Sequence, residues 1–247
     1  MSAVIPNSLS ERVFERIRDR IIDGTLAPGE RLRERELAAE LEVSRVPVRE
    51  ALPRLLDAGY IAAGPGRGTV VRDFDRAEVI ELFDVRAHLD VLAAESAARN
   101  VAAGADTTAL AAALAAVTAR AASGGVRSDS ARAEVSRTEA SRSDVSRAEA
   151  SRAEASDGAT AAAAVLHAEI VKLADNSLLT RLLRPVLDMD RRLAAHAYRE
   201  DHDEAVDEHR SLAGAILRGR PEAAAGFARA HVAEARQRVL DALTTTT

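Results

Sequence analysis

The segment from Leu37 to Ile61, LAAELEVSRVPVREALPRLLDAGYI, constrains the fold of this chain more than any other. It reads as the end of one helix, a tight polar turn, and a second helix that begins after Ser44. Ser44 suits the N-cap, and Pro47 suits the first turn, where the missing N–H of proline costs nothing. Because residues four apart share a helical face, Arg45 and Arg49 project together from the leading end of this helix. The segment therefore predicts a helix-turn-helix.

The surrounding sequence extends this motif on both sides. A capping box and an apolar stripe predict a first helix at about 9–23, and the helix before the turn covers 34–41. A glycine-rich tip at Gly64–Gly68, followed by the β-branched run Thr69–Val71, predicts a two-stranded ribbon. Three helices followed by a small ribbon form a winged helix-turn-helix of the α+β class, which we assign to residues 1–73.

The chain changes character after this unit. It becomes rich in alanine, leucine and arginine with helical periodicity and no strand signal. This composition predicts an all-α antiparallel helical bundle over residues 74–247. Its six helices are expected at roughly 76–103, 106–122, 159–175, 177–199, 202–218 and 221–243.

One segment does not fit the bundle. A pentapeptide is repeated six times from Val126 to Ala155. Five residues advance about 140° around a helix, so its charges spread over every face and no apolar stripe forms. We expect a solvated, low-complexity insertion at about 124–158, either disordered or a protruding helix.

Composition narrows the class of protein. The net charge is -5, yet the first 73 residues hold twelve arginines and twelve acidic residues and are neutral overall. Every basic residue except Lys172 is arginine, the side chain suited to forked recognition of phosphate and guanine. The absence of cysteine excludes a disulfide framework, a zinc finger and thiol catalysis. Neither a signal peptide nor a membrane-spanning run is evident, so we expect a cytoplasmic protein without a membrane partner.

The arginines of the first unit predict contact with double-stranded DNA. The leading end of the second helix of a helix-turn-helix enters the major groove, where arginine can bind guanine O6 and N7. Arg35 on the preceding helix could hold a phosphate or base edge, and Arg67 at the ribbon tip could reach a minor groove. The alternative is that these arginines only solvate a surface, with Glu36 and Glu50 as partners.

The stretch IRDRIIDGTLAPGERLRERELAAELEVSRVPVREALPRLLDAGYI, with GRGTVV after it, resembles the winged-helix domain of GntR-type bacterial transcription regulators. The likeness implies a repressor or an activator, and we favour a repressor. It places the operator contacts at Arg35, Ser44, Arg45, Arg49, Gly66 and Arg67. Pro53 departs from the pattern, and we expect it to remove the bond to the Arg49 carbonyl and kink the helix in its second half. Because the base-reading residues precede Pro53, altered stability or tilt is expected rather than lost DNA binding.

Three of the six histidines lie on apolar helical faces: His167, His209 and His231. A break at Gly219–Pro221 folds the last two helices into an antiparallel hairpin, with His209 and His231 each about 15 Å from the turn. Two facing histidines, joined by a third from another helix, would suit a divalent transition metal. Three separate core histidines, each satisfied by its neighbours, fit the pattern equally well.

The segments FDVRAHLDVLAAESAA, VLHAEIVKLADNSLL and EHRSLAGAILRGRPEAAAGFARAHV resemble the FCD effector domain of FadR-like GntR regulators. The resemblance implies a helical bundle, usually dimeric, whose interior often binds a metal through an Asp-x3-His pair and two further histidines. His167, His209 and His231 take the histidine positions, and Zn²⁺ or Ni²⁺ is the expected ion. The aspartate position falls on Ala163, so weaker binding is expected, with more open positions for water or an effector carboxylate.

Arg86 is the candidate effector-binding residue. It shares a helical face with apolar residues and should point inward, where a guanidinium needs an anion. Asp90, one turn later, could supply that anion for purely structural reasons, whereas the FCD resemblance favours an organic-acid effector.

These features together predict a regulator rather than an enzyme. We expect a homodimer whose operator affinity changes when a small carboxylate binds in the helical bundle. One alternative is a metal-dependent hydrolase built on the three histidines, although the nearby apolar faces offer no general base. A second is a ligand-binding protein that has lost DNA binding because of Pro53.

Overall fold

The computed structural model describes residues 8–64, 66, 68–119, 158, 160–197 and 202–245, with backbone alone at 194–197, 202–204 and 245. The chain divides into two compact units, Met1–Asp75 and Arg76–Thr247. Two sequence predictions fall outside the described residues: the repeat at 126–155 and the position of Arg67.

The described part of the first unit contains three helices and three short strands, in the order α1 (Leu9–Ile22), β1 (Arg31–Leu32), α2 (Glu34–Glu40), α3 (Arg45–Asp57), β2 (Ile61–Gly64) and β3 (Gly68–Val71). Helix α1 begins where predicted because the Ser8 hydroxyl accepts the Glu11 backbone N–H at 3.1 Å. Its apolar stripe packs against α3, and Ile17 of α1 and Leu55 of α3 are both fully buried. This contact forms the core of the unit.

The ribbon is part of a three-stranded antiparallel sheet with the order β1-β3-β2. Ile61 of β2 lies opposite Val71 of β3, while Arg31 of β1 lies opposite Val70. The sequence did not predict β1, because a two-residue strand is too short to show an alternating pattern. The winged helix-turn-helix is nevertheless confirmed.

Two details of helix α3 concern residues singled out in the sequence. Ser44 occupies the N-cap as predicted, although its side chain makes no capping hydrogen bond. The helix continues through the exposed Pro53 to Asp57, so the proline does not end it. The leading turn that carries Arg45 and Arg49 therefore belongs to one helix of thirteen residues.

The second unit is helical throughout its described part, which confirms the predicted fold class. Its helices are α4 (Arg76–Ala102), α5 (108–119), α6 (160–173), α7 (Ser177–Ala197), α8 (His202–Leu217) and α9 (Pro221–Thr245). The core is rich in alanine, as at the fully buried Ala97 and Ala213, and small side chains allow helix axes to approach closely. Along the described segments, no helix is both long and apolar enough to cross a membrane.

The predicted break between α8 and α9 is confirmed. Gly219 has a φ of +59°, the left-handed conformation that favours glycine at the end of a helix. The Gly219 N–H donates to Ile216 O at 2.8 Å, and the Arg220 N–H donates to Ala215 O at 3.1 Å. These two bonds close α8, and Pro221 then begins α9. The resulting hairpin sets the relative level of the two histidines that α8 and α9 carry.

Candidate functional site

Two arginines on the exposed leading end of α3 share one carboxylate. The side chains of Arg45 and Arg49 are 61% and 62% exposed. Arg49 Nη2 lies 3.0 Å from Glu34 Oε2, and Arg45 Nη2 lies 3.5 Å from the same oxygen. Glu34 is the first residue of α2, so these contacts join the two helices of the helix-turn-helix. Of the two acidic partners considered from the sequence, Glu36 is instead paired with Arg33 at 2.7 Å.

The ionisation of Glu34 follows from this contact. The hydrogen bond from Arg49 outweighs the small opposing effect of burial and lowers the pKa of Glu34 below its usual value. The same bond raises the pKa of the Arg49 guanidinium. Both groups stay charged at neutral pH, so two positive charges and one negative charge stand together at the head of α3.

Three further residues predicted to contact DNA, Arg35, Ser44 and Gly66, fall within the described residues. Arg35 is exposed on α2, and Ser44 is exposed at the N-cap of α3. Gly66 is exposed at the tip of the ribbon with a φ of +68°, a backbone conformation that strains most side chains. The structure therefore brings Arg45 and Arg49 together, and the contact of all six residues with DNA stays a prediction.

The three histidines chosen from the sequence meet inside the second unit. His167 of α6, His209 of α8 and His231 of α9 have ring centroids 4.6–5.3 Å apart. Their candidate ligand atoms all lie within 4.8 Å of one another. His209 and His231 are buried, whereas His167 keeps part of its surface exposed. The sequence allowed either one cluster of three histidines or three separate core histidines, and this arrangement is a cluster.

Hydrogen-bond partners fix how the rings are protonated. The Nδ1 atom of His209 lies 2.5 Å from the Ala205 carbonyl oxygen, which can only accept, so this nitrogen carries the proton. The Nδ1 atom of His231 likewise donates to Glu208 Oε2 at 2.7 Å. A neutral ring with its proton on Nδ1 keeps its lone pair on Nε2, the nitrogen that can then act as a metal ligand.

The donor set fits a transition-metal ion. The Nε2 atoms of His167 and His209 are 3.2 Å apart, close to the roughly 3.3 Å expected for two nitrogens bound tetrahedrally to one Zn²⁺. Burial lowers the pKa of His209 to about 3, and the neighbouring His231 adds to this effect. Burial also lowers the pKa of His167 well below its usual value. The two imidazoles are therefore neutral at physiological pH, which is the state that binds a metal.

Glu208 lies beside the histidine cluster and binds one of its rings, and the sequence analysis did not identify it. Its carboxylate accepts from Arg238 Nη1 at 2.7 Å, from Arg238 Nη2 at 2.9 Å and from His231. Burial opposes its charge, but the bonds from Arg238 and His231 outweigh burial and lower the pKa of Glu208 to about 2. Glu208 and Arg238 lie on different helices and thirty residues apart, so no spacing along one helix indicated the pair.

Arg86 points inward as predicted and is held by two carboxylates. Its Nε donates to Asp90 Oδ2 at 3.0 Å, and its Nη1 donates to Asp190 of α7. Arg86 is 1% exposed, so this pairing neutralises a buried charge. Burial raises the pKa of Asp90 despite the opposing effect of Arg86. The structural role considered for Asp90 is thus present, and Asp190 is a second partner that the sequence did not indicate.

The space beside the histidines is small. A cavity of about 10 Å³ is lined by Asp90, His167 and His231 among apolar residues, and it has room for roughly one water molecule. His231 also lines a wider pocket of about 330 Å³, where Glu208, Ser211 and Phe227 form part of the wall. Ala163, at the expected aspartate position, is one turn before His167 on α6 and offers no ligand atom. Asp90 is therefore the carboxylate that shares the inner cavity with the histidines.

A winged helix-turn-helix followed in one chain by an all-helical unit is the architecture of a class of bacterial transcription regulators. Residues 9–71 match the family of bacterial regulatory proteins, gntR family, and residues 81–234 match the FCD domain. The chain therefore belongs to the GntR family and carries an FCD domain.

Individual relatives agree with this assignment. The HTH-type transcriptional regulator Mce2R of Mycobacterium tuberculosis is 45% identical over 83 residues, which cover 33% of this chain and 35% of Mce2R. The matched region thus spans about a third of that relative. A structure of a transcriptional regulator GntR from Rhodococcus sp. RHA1 has a TM-score of 0.70 and 25% identity, covering 94% of this chain and 97% of that one. Escherichia coli McbR/YncC has the same TM-score at 18% identity, covering 97% and 98%, and shares the fold.

Proposed function

We propose that this chain is a homodimeric, sequence-specific transcription repressor whose operator affinity responds to a small organic acid in the helical unit. The observation that carries the DNA-binding part is the exposed Arg45–Arg49 pair at the head of α3. The operator contacts would be Arg35, Ser44, Arg45, Arg49, Gly66 and Arg67. A homodimer would place two such heads on a pseudo-palindromic duplex.

Binding to a duplex selected from a random pool tests this proposal. We expect Arg45→Ala and Arg49→Ala each to weaken the selected duplex about 5- to 150-fold, because a bidentate guanine contact contributes about 1–3 kcal/mol. Arg99→Ala is the matched control, since Arg99 is an exposed arginine of α4 paired with Glu95. Equal affinity of the wild type for selected and scrambled duplexes at moderate salt would remove the claim. A reporter carrying the selected site should lose expression when the protein is produced, whereas increased expression would indicate an activator.

We include a divalent transition metal, Zn²⁺ or Ni²⁺, in the proposal. His167, His209 and His231 would hold it through their Nε2 atoms, and Glu208 and the Ala205 carbonyl would keep two of the rings oriented. When bound, the ion supplies a localised positive charge that can attract a carboxylate. Metal analysis of purified protein should find the ion in the wild type and a large loss in His209→Ala. The exposed His88 of α4 provides the control, His88→Ala, which should retain the metal.

Arg86 remains the proposed contact for the effector carboxylate. Because Asp90 and Asp190 already bind its guanidinium, an entering acid would have to displace one of them. Coupling of this exchange to DNA affinity would be about 1–3 kcal/mol, as is typical of allostery. Titration of the protein–duplex complex with a panel of carboxylates should release the DNA with one or a few of them. If none changes the affinity, the organic-acid part of the proposal fails.

The alternatives are less well supported. A hydrolase would need a free general base at the histidines, but Glu208 is bound by Arg238 and His231, and Asp90 is bound by Arg86. The family and the fold are also those of transcription regulators. If Pro53 had abolished DNA binding, the Pro53→Arg variant would bind the duplex much more tightly than the wild type. The same duplex assay measures that gain.

A further inference from the structure

The Glu34 carboxylate binds a particular edge of Arg49. The Nε atom of Arg49 faces Glu34 Oε1 at 3.4 Å and Oε2 at 3.3 Å, and its Nη2 faces Oε2 at 3.0 Å. A guanidinium has five N–H groups in a rigid plane. Glu34 therefore uses the side edge of the fork and leaves the Nη1 group and one Nη2 hydrogen at its end.

The end of the fork is the edge that suits guanine. Two parallel N–H groups from the terminal nitrogens can reach O6 and N7 together. A carboxylate that holds the side edge keeps the plane of the guanidinium fixed before DNA arrives. Ordering a long side chain at an interface otherwise costs conformational entropy when the partner binds.

The same carboxylate acts against unspecific binding. Phosphates attract arginines on any sequence, and that attraction supplies nearly all of the non-specific affinity of a DNA-binding protein. Glu34 neutralises part of the charge of Arg45 and Arg49 and would itself face the phosphates of a bound duplex. An arginine that turns towards a phosphate must also give up its contact with Glu34.

We infer that Glu34 is a specificity-determining residue of the DNA-binding surface, which orients Arg49 end-on for guanine and restrains both arginines from binding phosphates. This inference rests on the proposed function, because it takes Arg45 and Arg49 to be DNA contacts. Glu34 acts through Arg49 and is a positioning residue rather than a direct reader.

The test compares Glu34→Gln with Glu36→Gln in the full-length protein. Glu36 lies on the same helix, is exposed and pairs with Arg33, so its variant removes the same charge without touching Arg45 or Arg49. Affinities are measured for the selected duplex and a scrambled duplex over a range of salt concentrations. Glu34→Asp is a further variant, which keeps the charge but shortens the reach by one methylene.

Glu34→Gln should bind the scrambled duplex more tightly and lower the ratio of selected to scrambled affinity by roughly 10-fold, within the range that one bidentate contact provides. Its non-specific binding should also show a steeper dependence on salt, by about 0.9 in log–log slope for each arginine released to a phosphate. Glu34→Asp should fall between Glu34→Gln and the wild type.

Three outcomes would overturn the inference, and they show whether the proposed function fails with it. A wild type that discriminates, together with a Glu34→Gln variant that matches Glu36→Gln in both ratio and slope, overturns the inference and leaves the proposed function standing. A wild type that does not discriminate overturns both. A lower ratio caused only by weaker binding of the selected duplex, with an unchanged salt slope, would show orientation without restraint of the arginines and would overturn the inference as stated.

Discussion

Replacing Glu208 with glutamine would change one atom and disturb three hydrogen bonds. The carboxylate accepts from Arg238 twice and from His231 once. Glutamine has a single acceptor oxygen and an NH₂ group that can only donate. If the glutamine oxygen takes the place of Oε1, the NH₂ group takes the place of Oε2, where it opposes Arg238 Nη2 and faces His231 Nδ1, which must then accept. The ring proton moves to Nε2 in that case, and the lone pair aimed at the cluster is lost. If the oxygen takes the place of Oε2 instead, it still accepts from His231 and from Arg238 Nη2, but the negative charge is lost and the NH₂ group opposes Arg238 Nη1.

Either arrangement weakens metal binding, and the loss of affinity can be bounded. Partners that orient a metal-bound imidazole typically change affinity 10- to 100-fold, which is about 1.4–2.7 kcal/mol. We expect Glu208→Gln to fall in this range because it changes the partner of His231 alone and leaves the bond from His209 to Ala205 in place. Complete loss is expected for His231→Ala, which removes a ligand.

A competition titration with a chelator of known Zn²⁺ affinity measures this effect. Glu234→Gln is the matched control, because Glu234 is an exposed residue of α9 one turn after His231. The reasoning is wrong if Glu208→Gln binds Zn²⁺ as tightly as Glu234→Gln while His231→Ala does not bind it. Circular dichroism of the metal-free proteins establishes that each variant keeps its helical content.

Three further predictions concern stability, measured by urea unfolding. Leu55→Ala should cost about 2–5 kcal/mol because Leu55 is fully buried, whereas its neighbour Leu56 is 49% exposed and Leu56→Ala should change stability by about 0.5 kcal/mol or less. Pro53→Ala restores an N–H for the Arg49 carbonyl and should stabilise the first unit by about 1–3 kcal/mol, with duplex affinity changed only a few-fold. The folded pKa of His209 is about 3, below its usual 6.5, so the unfolded chain takes up a proton first as pH falls. In metal-free protein, His209 alone should therefore cost up to about 2 kcal/mol between pH 7 and pH 5, and a His209→Gln variant should lose less than the wild type; an equal loss in both would contradict the assignment.

Strong local patterns explain what the sequence predicted correctly. The apolar stripe of α1, the turn before α3 and the glycine at 219 each depend on residues close together in the chain. Such signals can be recognised in the sequence without knowledge of the tertiary structure. The contact between His209 and His231 could be predicted for the same reason. A two-helix hairpin with a known break fixes the distance of both residues from the turn.

Contacts between distant segments explain what the sequence missed. Asp190 is 104 residues from Arg86, and no periodicity links the two. Glu34 is fifteen residues from Arg49, and two other acidic residues were nearer candidates. Strand β1 has two residues and exists only because β3 offers it a partner. In each case the partner depends on how the helices and strands pack, which local propensity does not encode.

The size of the inner cavity bears on how an effector could act. Ligand sites for small organic molecules usually enclose about 300–1,000 Å³, whereas the cavity between Asp90, His167 and His231 has about 10 Å³. On the proposed function, an acid could not enter this space without separating groups that now touch. The acid would compete directly for the ion pair between Arg86 of α4 and Asp190 of α7.

Binding would then have to move α7 relative to α4, and a ligand changes an equilibrium only through its different affinity for two such arrangements. The tight packing that leaves no room in the present arrangement would thus provide the difference between the two states. Hydrogen exchange of α7 should increase on addition of an acid that releases DNA, and unchanged exchange would place the effector elsewhere, with the 330 Å³ pocket beside His231 as the next site to examine.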